Sequence, residues 1–154
     1  SPVGWLYDTE KDVLKEAKRV SEITHNHIEG IETAQAVAMC IYLSRNKKSK
    51  EEIKEYIENR FKYDLNKSVE QVRDTYEYSE LAINTVPQSI ICFLDSNSFE
   101  DSIRNAVYLG GDSDTLAAIT GSISEAYYGL DEELWERAKG YLPEDMLDLI
   151  SLEY

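Results

Sequence analysis

Apolar residues recur at three- and four-residue spacing along nearly the whole chain, which is the period of an amphipathic helix. Val13, Leu14, Ala17, Val20 and Thr24 mark one face of a helix from about Thr9 to Ile23. Gly30 to Arg45 reads as a second helix, apolar on most sides through Ala34, Ala36, Val37, Ala38, Cys40 and Ile41. A helix apolar all round belongs at the centre of a core. Asn46-Lys47-Lys48 ends it, and Ser49-Lys50-Glu51-Glu52 is a capping box that opens a third helix carrying Ile53, Tyr56, Ile57 and Phe61.

Ser68-Val69-Glu70-Gln71 repeats the box, and Thr85-Val86-Pro87-Gln88 is read as a third instance, starting an Ile- and Phe-rich helix to about Asp95. Ser98 opens the next, through Ile103, Ala106 and Leu109 to Gly110. A helix from Ser113 to Tyr128 should stop at Gly129, and two short ones follow, around Glu132 to Lys139 and Glu144 to Leu152. Tyr76 to Asn84 carries no clear period, and no alternating strand pattern competes anywhere. The expected fold is all-α: one compact multi-helix bundle over residues 1–154, with helices crossing at varied, orthogonal angles.

Within this pattern Gly110-Gly111-Asp112-Ser113-Asp114-Thr115 stands out. Paired glycines permit a tight turn, and Asp112, Ser113 and Asp114 are all good helix N-caps. One aspartate as cap and the other as a solvated first-turn acid would account for it. Closely spaced hard oxygen donors at a helix start also suit Mg²⁺, Mn²⁺ or Ca²⁺. Thr24-His25-Asn26-His27-Ile28-Glu29-Gly30 holds both histidines. A zinc site needs more nitrogen or sulfur ligands than this stretch offers. A nuclease of the His-Asn-His kind needs a strand-and-helix frame that is absent here. The remaining reading is structural, with the histidines capping the buried helix or bridging loops.

Composition narrows the function. The 154 residues carry 16 basic and 30 acidic side chains, a formal charge of −14. A surface that acidic repels phosphate backbones, so nucleic-acid binding through a basic patch is not expected. No apolar run reaches membrane-spanning length, and no signal peptide is visible. Cys40 and Cys92 each sit in an apolar run, without polar or basic neighbours to activate a thiol. Two buried thiols in a reducing, cytoplasmic setting are expected. Ser1-Pro2-Val3-Gly4-Trp5 lacks an initiator Met, and Trp5 and Leu6 read as core residues, at a processed terminus or inside a larger domain.

The ordered motifs together resemble the ADP-ribosylglycohydrolase family. Gly110 to Thr115, continuing through Ala117-Ala118-Ile119-Thr120-Gly121-Ser122 to Tyr127-Tyr128-Gly129, resembles its C-terminal signature. Ser1 to Trp5 resembles the segment after its Gly-Asn-Gly-Ser-x-Met-Arg loop. Thr24 to Gly30 resembles its Thr-His-x-His-Pro-Glu-Gly loop, with Ile28 in place of Pro, and Val86-Pro87-Gln88-Ser89-Ile90 its Val-Pro-x-Ala-Ile helix start.

The resemblance implies an all-α fold with a binuclear Mg²⁺ or Mn²⁺ site at the floor of a cleft, hydrolysing the glycosidic bond of ADP-ribosylated substrates. By position, Asp112, Asp114 and Thr115 would be metal ligands, and His25 would lie beside the ADP-ribose pocket. The family's Thr-Asp-Asp-Thr motif and its water-activating acid are missing, since no Asp-Asp pair occurs in this chain. Glu80 to Thr85 also departs from the small polar run usual in the family. The chain therefore reads as the C-terminal portion of a family domain, with no catalytic acid of its own. Three expectations follow: an enzyme half that needs the N-terminal part, a non-catalytic remnant binding a cation or ADP-ribose-like ligand, or a truncated domain that self-associates through uncovered apolar surface.

Overall fold

A computed structural model describes residues 1–151, which form ten helices joined by loops, with no strand among the described residues. The elements are α1 (Pro2–Leu6), α2 (Glu10–Ser21), α3 (Ile28–Arg45), α4 (Lys50–Phe61), α5 (Val69–Arg73), α6 (Ala82–Leu94), α7 (Phe99–Leu109), α8 (Ser113–Tyr128), α9 (Glu132–Lys139) and α10 (Glu144–Ser151). The expected final residue of the last helix, Leu152, lies outside the described residues.

The helix apolar on all sides is central, as its pattern requires. α3 packs against α1, α2, α4, α6 and α8, and buries Ile31, Ala36, Ala38, Met39, Cys40 and Ile41. α8 forms the second axis of the core, packed on α3, α6 and α7 through Leu116, Thr120, Ile123 and Ala126. The Thr120 hydroxyl donates to the Ser89 carbonyl at 3.0 Å and so ties α8 to α6 without leaving a buried polar atom unpaired.

Both Ser-initiated boxes close as read from sequence. Ser49 accepts from the Glu52 amide while the Glu52 carboxylate accepts from the Ser49 amide, and Ser68 and Gln71 do the same. The third does not. α6 starts at Ala82, three residues before Thr85, and carries Pro87 inside it. The Thr85 hydroxyl donates backwards, to the carbonyls of Leu81 at 3.2 Å and Ser79 at 3.3 Å, so it is a helix-interior threonine rather than a cap. The real local anchor is Ser79, whose Oγ accepts from the Leu81 amide and from the Asn84 side chain.

Trp5 and Leu6 are 43% and 73% exposed, so nothing among the described residues covers them. The residue that docks α1 is Gly4, which lies so close to α3 that a Cβ would meet the Ala38 carbonyl oxygen and Ile41 Cβ, each at 2.7 Å. Gly4→Ala should therefore cost about 1–3 kcal/mol by overpacking. An unchanged urea midpoint would mean that α1 is not held against α3.

Cys40 and Cys92 are buried free thiols. Burial pushes both up in pKa, Cys92 to about 12, which leaves them unreactive.

Candidate functional site

The start of α8 is built on two glycines in the left-handed region, Gly110 at φ 82° and Gly111 at φ 64°. L side chains avoid this region, so the pair lets the chain reverse from α7 into α8 within a few residues. Asp112 is the N-cap by position, its carbonyl accepting from Leu116 N–H at 3.0 Å. Its side chain makes no capping hydrogen bond. The simple capping account of Asp112 thus fails on geometry, and its carboxyl is left for another partner.

That partner is Asp114. A hydrogen bond from the Asp112 side chain, then the Thr115 backbone amide and its own, hold the Asp114 carboxyl below the usual carboxylate range. The Thr115 amide donates to Asp114 Oδ1 at 3.0 Å. Asp112, Asp114 and Thr115 therefore converge on one turn, with the oxygens of both acids facing each other. No three His, Cys, Asp or Glu side chains come together as a metal cage among the described residues.

His25 lies in a hollow of about 470 Å³ bounded by α2, α3, α6 and α8. Thr24, His25, Val37, Val86 and Ile119 are among its walls, and Ser1 lies at its edge. Ile119 is one helical turn beyond Thr115, on the same face of α8. The turn and the hollow share that helix. Thr24 Oγ1 and His25 Nδ1 are 2.8 Å apart, a contact that fixes the imidazole on the hollow's rim. His27 does something else: it is the N-cap of α3, its Nδ1 accepting from the Glu29 amide at 3.3 Å. Of the two histidines, one caps the buried helix and one faces the hollow.

Two residues beside the aspartates escaped the sequence reading. Tyr76 packs against Gly111, where an added Cβ would stand 2.6 Å from its ring. Burial first, and the Asp112 charge second, raise the Tyr76 phenol. Tyr78 is raised by Glu80 first, with lesser contributions from burial, Asp112 and Asp114. Both lie in the aperiodic stretch between α5 and α6, where spacing carries no signal and only the three-dimensional path shows what they touch.

The all-α body thus sets the Gly-Gly-Asp-Ser-Asp-Thr turn at the head of the helix that also lines the hollow bordered by His25. The sequence model of the ADP-ribosylglycohydrolase family matches residues 1–151, and the chain belongs to that family. It is 36% identical to human ADP-ribosylhydrolase ARH3 over 80 residues, 43% of this chain and 22% of the human protein. It is 27% identical over 150 residues to an uncharacterized protein of Archaeoglobus fulgidus, 88% of this chain and 49% of that one. It is 27% identical over 115 residues to the ADP-ribosylarginine hydrolase Tri1 of Pseudomonas putida, 71% of this chain and 31% of Tri1. The chain thus spans about half or less of the length of these relatives. No helix among the described residues is long and apolar enough to cross a membrane.

Proposed function

We propose that this chain is the C-terminal half of a metal-dependent hydrolase that cleaves the glycosidic bond of ADP-ribosylated substrates, and that it needs the family's N-terminal part for turnover. The observation that carries the reading is the uncapped Asp112 carboxyl facing Asp114 on the Gly110–Gly111 turn. Two carboxylates on neighbouring positions of one turn, one of them held below the usual carboxylate range, offer the hard oxygen donors that a divalent cation takes. Asp112, Asp114 and the Thr115 hydroxyl would hold Mg²⁺ or Mn²⁺. Bound there, the cation would supply Lewis acidity and a water of lowered pKa.

The donor set fits half of such a site. A hard cation takes about six oxygens, and three side chains from one turn do not fill two shells. The remaining ligands, and the acid that activates water, would come from the N-terminal part. His25 would border the ADP-ribose, with the hollow along α8 receiving its less polar surface.

The same hollow marks where the missing part would dock. Val20 lines it and is well exposed, as are Ile23, Ile28 and Leu81 nearby in the chain. Exposed apolar surface of this kind is typical of an interface. Without the partner, self-association through this face is the expected alternative, and light scattering reads it. The buried thiols fit a reducing, cytoplasmic setting.

The direct test is release of free ADP-ribose from an ADP-ribosylated protein. The chain is assayed alone and mixed with the N-terminal half of the Archaeoglobus relative, with Mg²⁺ or Mn²⁺ present. Release only in the mixture, abolished by chelator, is expected. Release that persists in chelator would overturn metal dependence. No release from the mixture, although the two halves co-purify, would favour a non-catalytic role.

A further inference from the structure

The Gly110–Gly111 turn has little to hold it in place through its own sequence. Glycines visit many backbone states, so fixing two in succession at positive φ is entropically costly. Asp112 adds no capping bond. Something outside the turn must select the conformation in which Asp112 and Asp114 face each other.

The side chain nearest the Gly111 face is that of Tyr76. The Tyr76 ring lies against it, with Cε1 2.6 Å, and Cδ1 and Cζ 3.4 Å, from where a Cβ would be. The backbone that carries the ring is anchored: the Tyr76 amide donates to the Val72 carbonyl at 2.8 Å, continuing the end of α5, and α5 packs on α6 and α7. The Tyr76 hydroxyl is buried without a hydrogen-bond partner. A buried hydroxyl without a well-formed hydrogen bond costs free energy, so it is the packing of the ring, against the core and against Gly111, that accounts for its placement.

We propose that Tyr76 is the positioning residue of the aspartate turn, its ring acting as a buttress that holds Gly111 in the left-handed conformation and so keeps Asp112 and Asp114 converged. The cation role of that turn rests on the reading proposed above, whereas the buttress does not. Two glycines where a side chain could otherwise be are then explained twice over: positive φ excludes it, and at Gly111 the ring does so as well.

The test compares wild type, Tyr76→Ala and Tyr76→Phe in the metal-free chain and with Mn²⁺ alone. Amide hydrogen exchange follows residues 111–116, with α3 amides as the folding control. Paramagnetic broadening of the same amides reads Mn²⁺ even when half a site binds it weakly. Tyr76→Ala is expected to speed exchange in the turn and leave α3 unchanged. It should also weaken Mn²⁺ binding about 10–100-fold, the usual worth of a group that orients a metal ligand. Tyr76→Phe keeps the ring and should match wild type in both.

Wild-type exchange and binding in Tyr76→Ala would overturn the proposal. So would a Tyr76→Phe defect as large as that of Tyr76→Ala, since it would put the role on the hydroxyl. If wild type shows no broadening, the cation reading fails, and exchange still decides whether the ring holds the turn. If Tyr76→Ala loses α3 protection, Tyr76→Leu makes a milder change to the same contact, without backbone strain at the glycine. It should loosen residues 111–116 alone, and unchanged exchange there would overturn the buttress.

Discussion

Asp112→Ala should abolish metal-supported ADP-ribose release, by at least about a hundredfold, while leaving the stability of the metal-free chain almost untouched. Outer-shell partners of a metal are themselves worth about 10–100-fold, so removing a ligand should exceed that. The stability half of the expectation separates function from capping. A working N-cap aspartate costs about 1 kcal/mol when replaced by alanine. Asp112 makes no side-chain capping bond, so its loss should fall within about 0.5 kcal/mol, the range of ordinary surface changes. Urea denaturation of the free chain and a release assay of the two-part enzyme check the two halves. A stability loss near the full capping value with activity intact would return Asp112 to a structural role.

Phe93→Ala should be the most destabilising change considered, at about 3–5 kcal/mol. The ring is fully buried on α6. It meets Tyr127 edge-on at 5.2 Å and Tyr128 at 6.4 Å between centroids. Such pairs add about 0.5–1.5 kcal/mol beyond the area they bury. The Lys50 ammonium sits 5.2 Å from the same ring centroid, and donates to the carbonyls of Leu94 and Ser96. One ring therefore joins the ends of α6 and α8 to the first turn of α4. Against a typical domain stability of about 5–15 kcal/mol, the loss would leave a marginal fold. Circular dichroism should show a melting temperature lower by about 2–4 °C for each kcal/mol lost. A drop of under about 1 kcal/mol would mean that the cluster is not packed as described.

The helices were legible because most of them are amphipathic or uniformly apolar, and those patterns are local. α3 announced its burial by having no polar face, and Ser49 and Ser68 announced helix starts because a capping box is written within four residues. The error at Thr85 has the same root. Thr-x-x-Gln satisfies the same spacing, and only the competing acceptors at Ser79 and Leu81 decide that its hydroxyl points back. Trp5 and Leu6 stay uncovered here because apolar character sets a preference for burial without saying what is available to cover the side chain.

By itself, the sequence determined the all-α class, the central helix, the buried thiols and, through ordered motifs, the family. Each of these is encoded in residues adjacent in the chain or at fixed helical spacing. Only the tertiary structure decided that the Asp112 carboxyl turns to Asp114 instead of capping α8. It alone separated His25 on the hollow from His27 on the helix end, and brought the Tyr76 ring onto Gly111. These choices depend on which distant groups arrive at the same place, and a one-dimensional pattern carries no record of that.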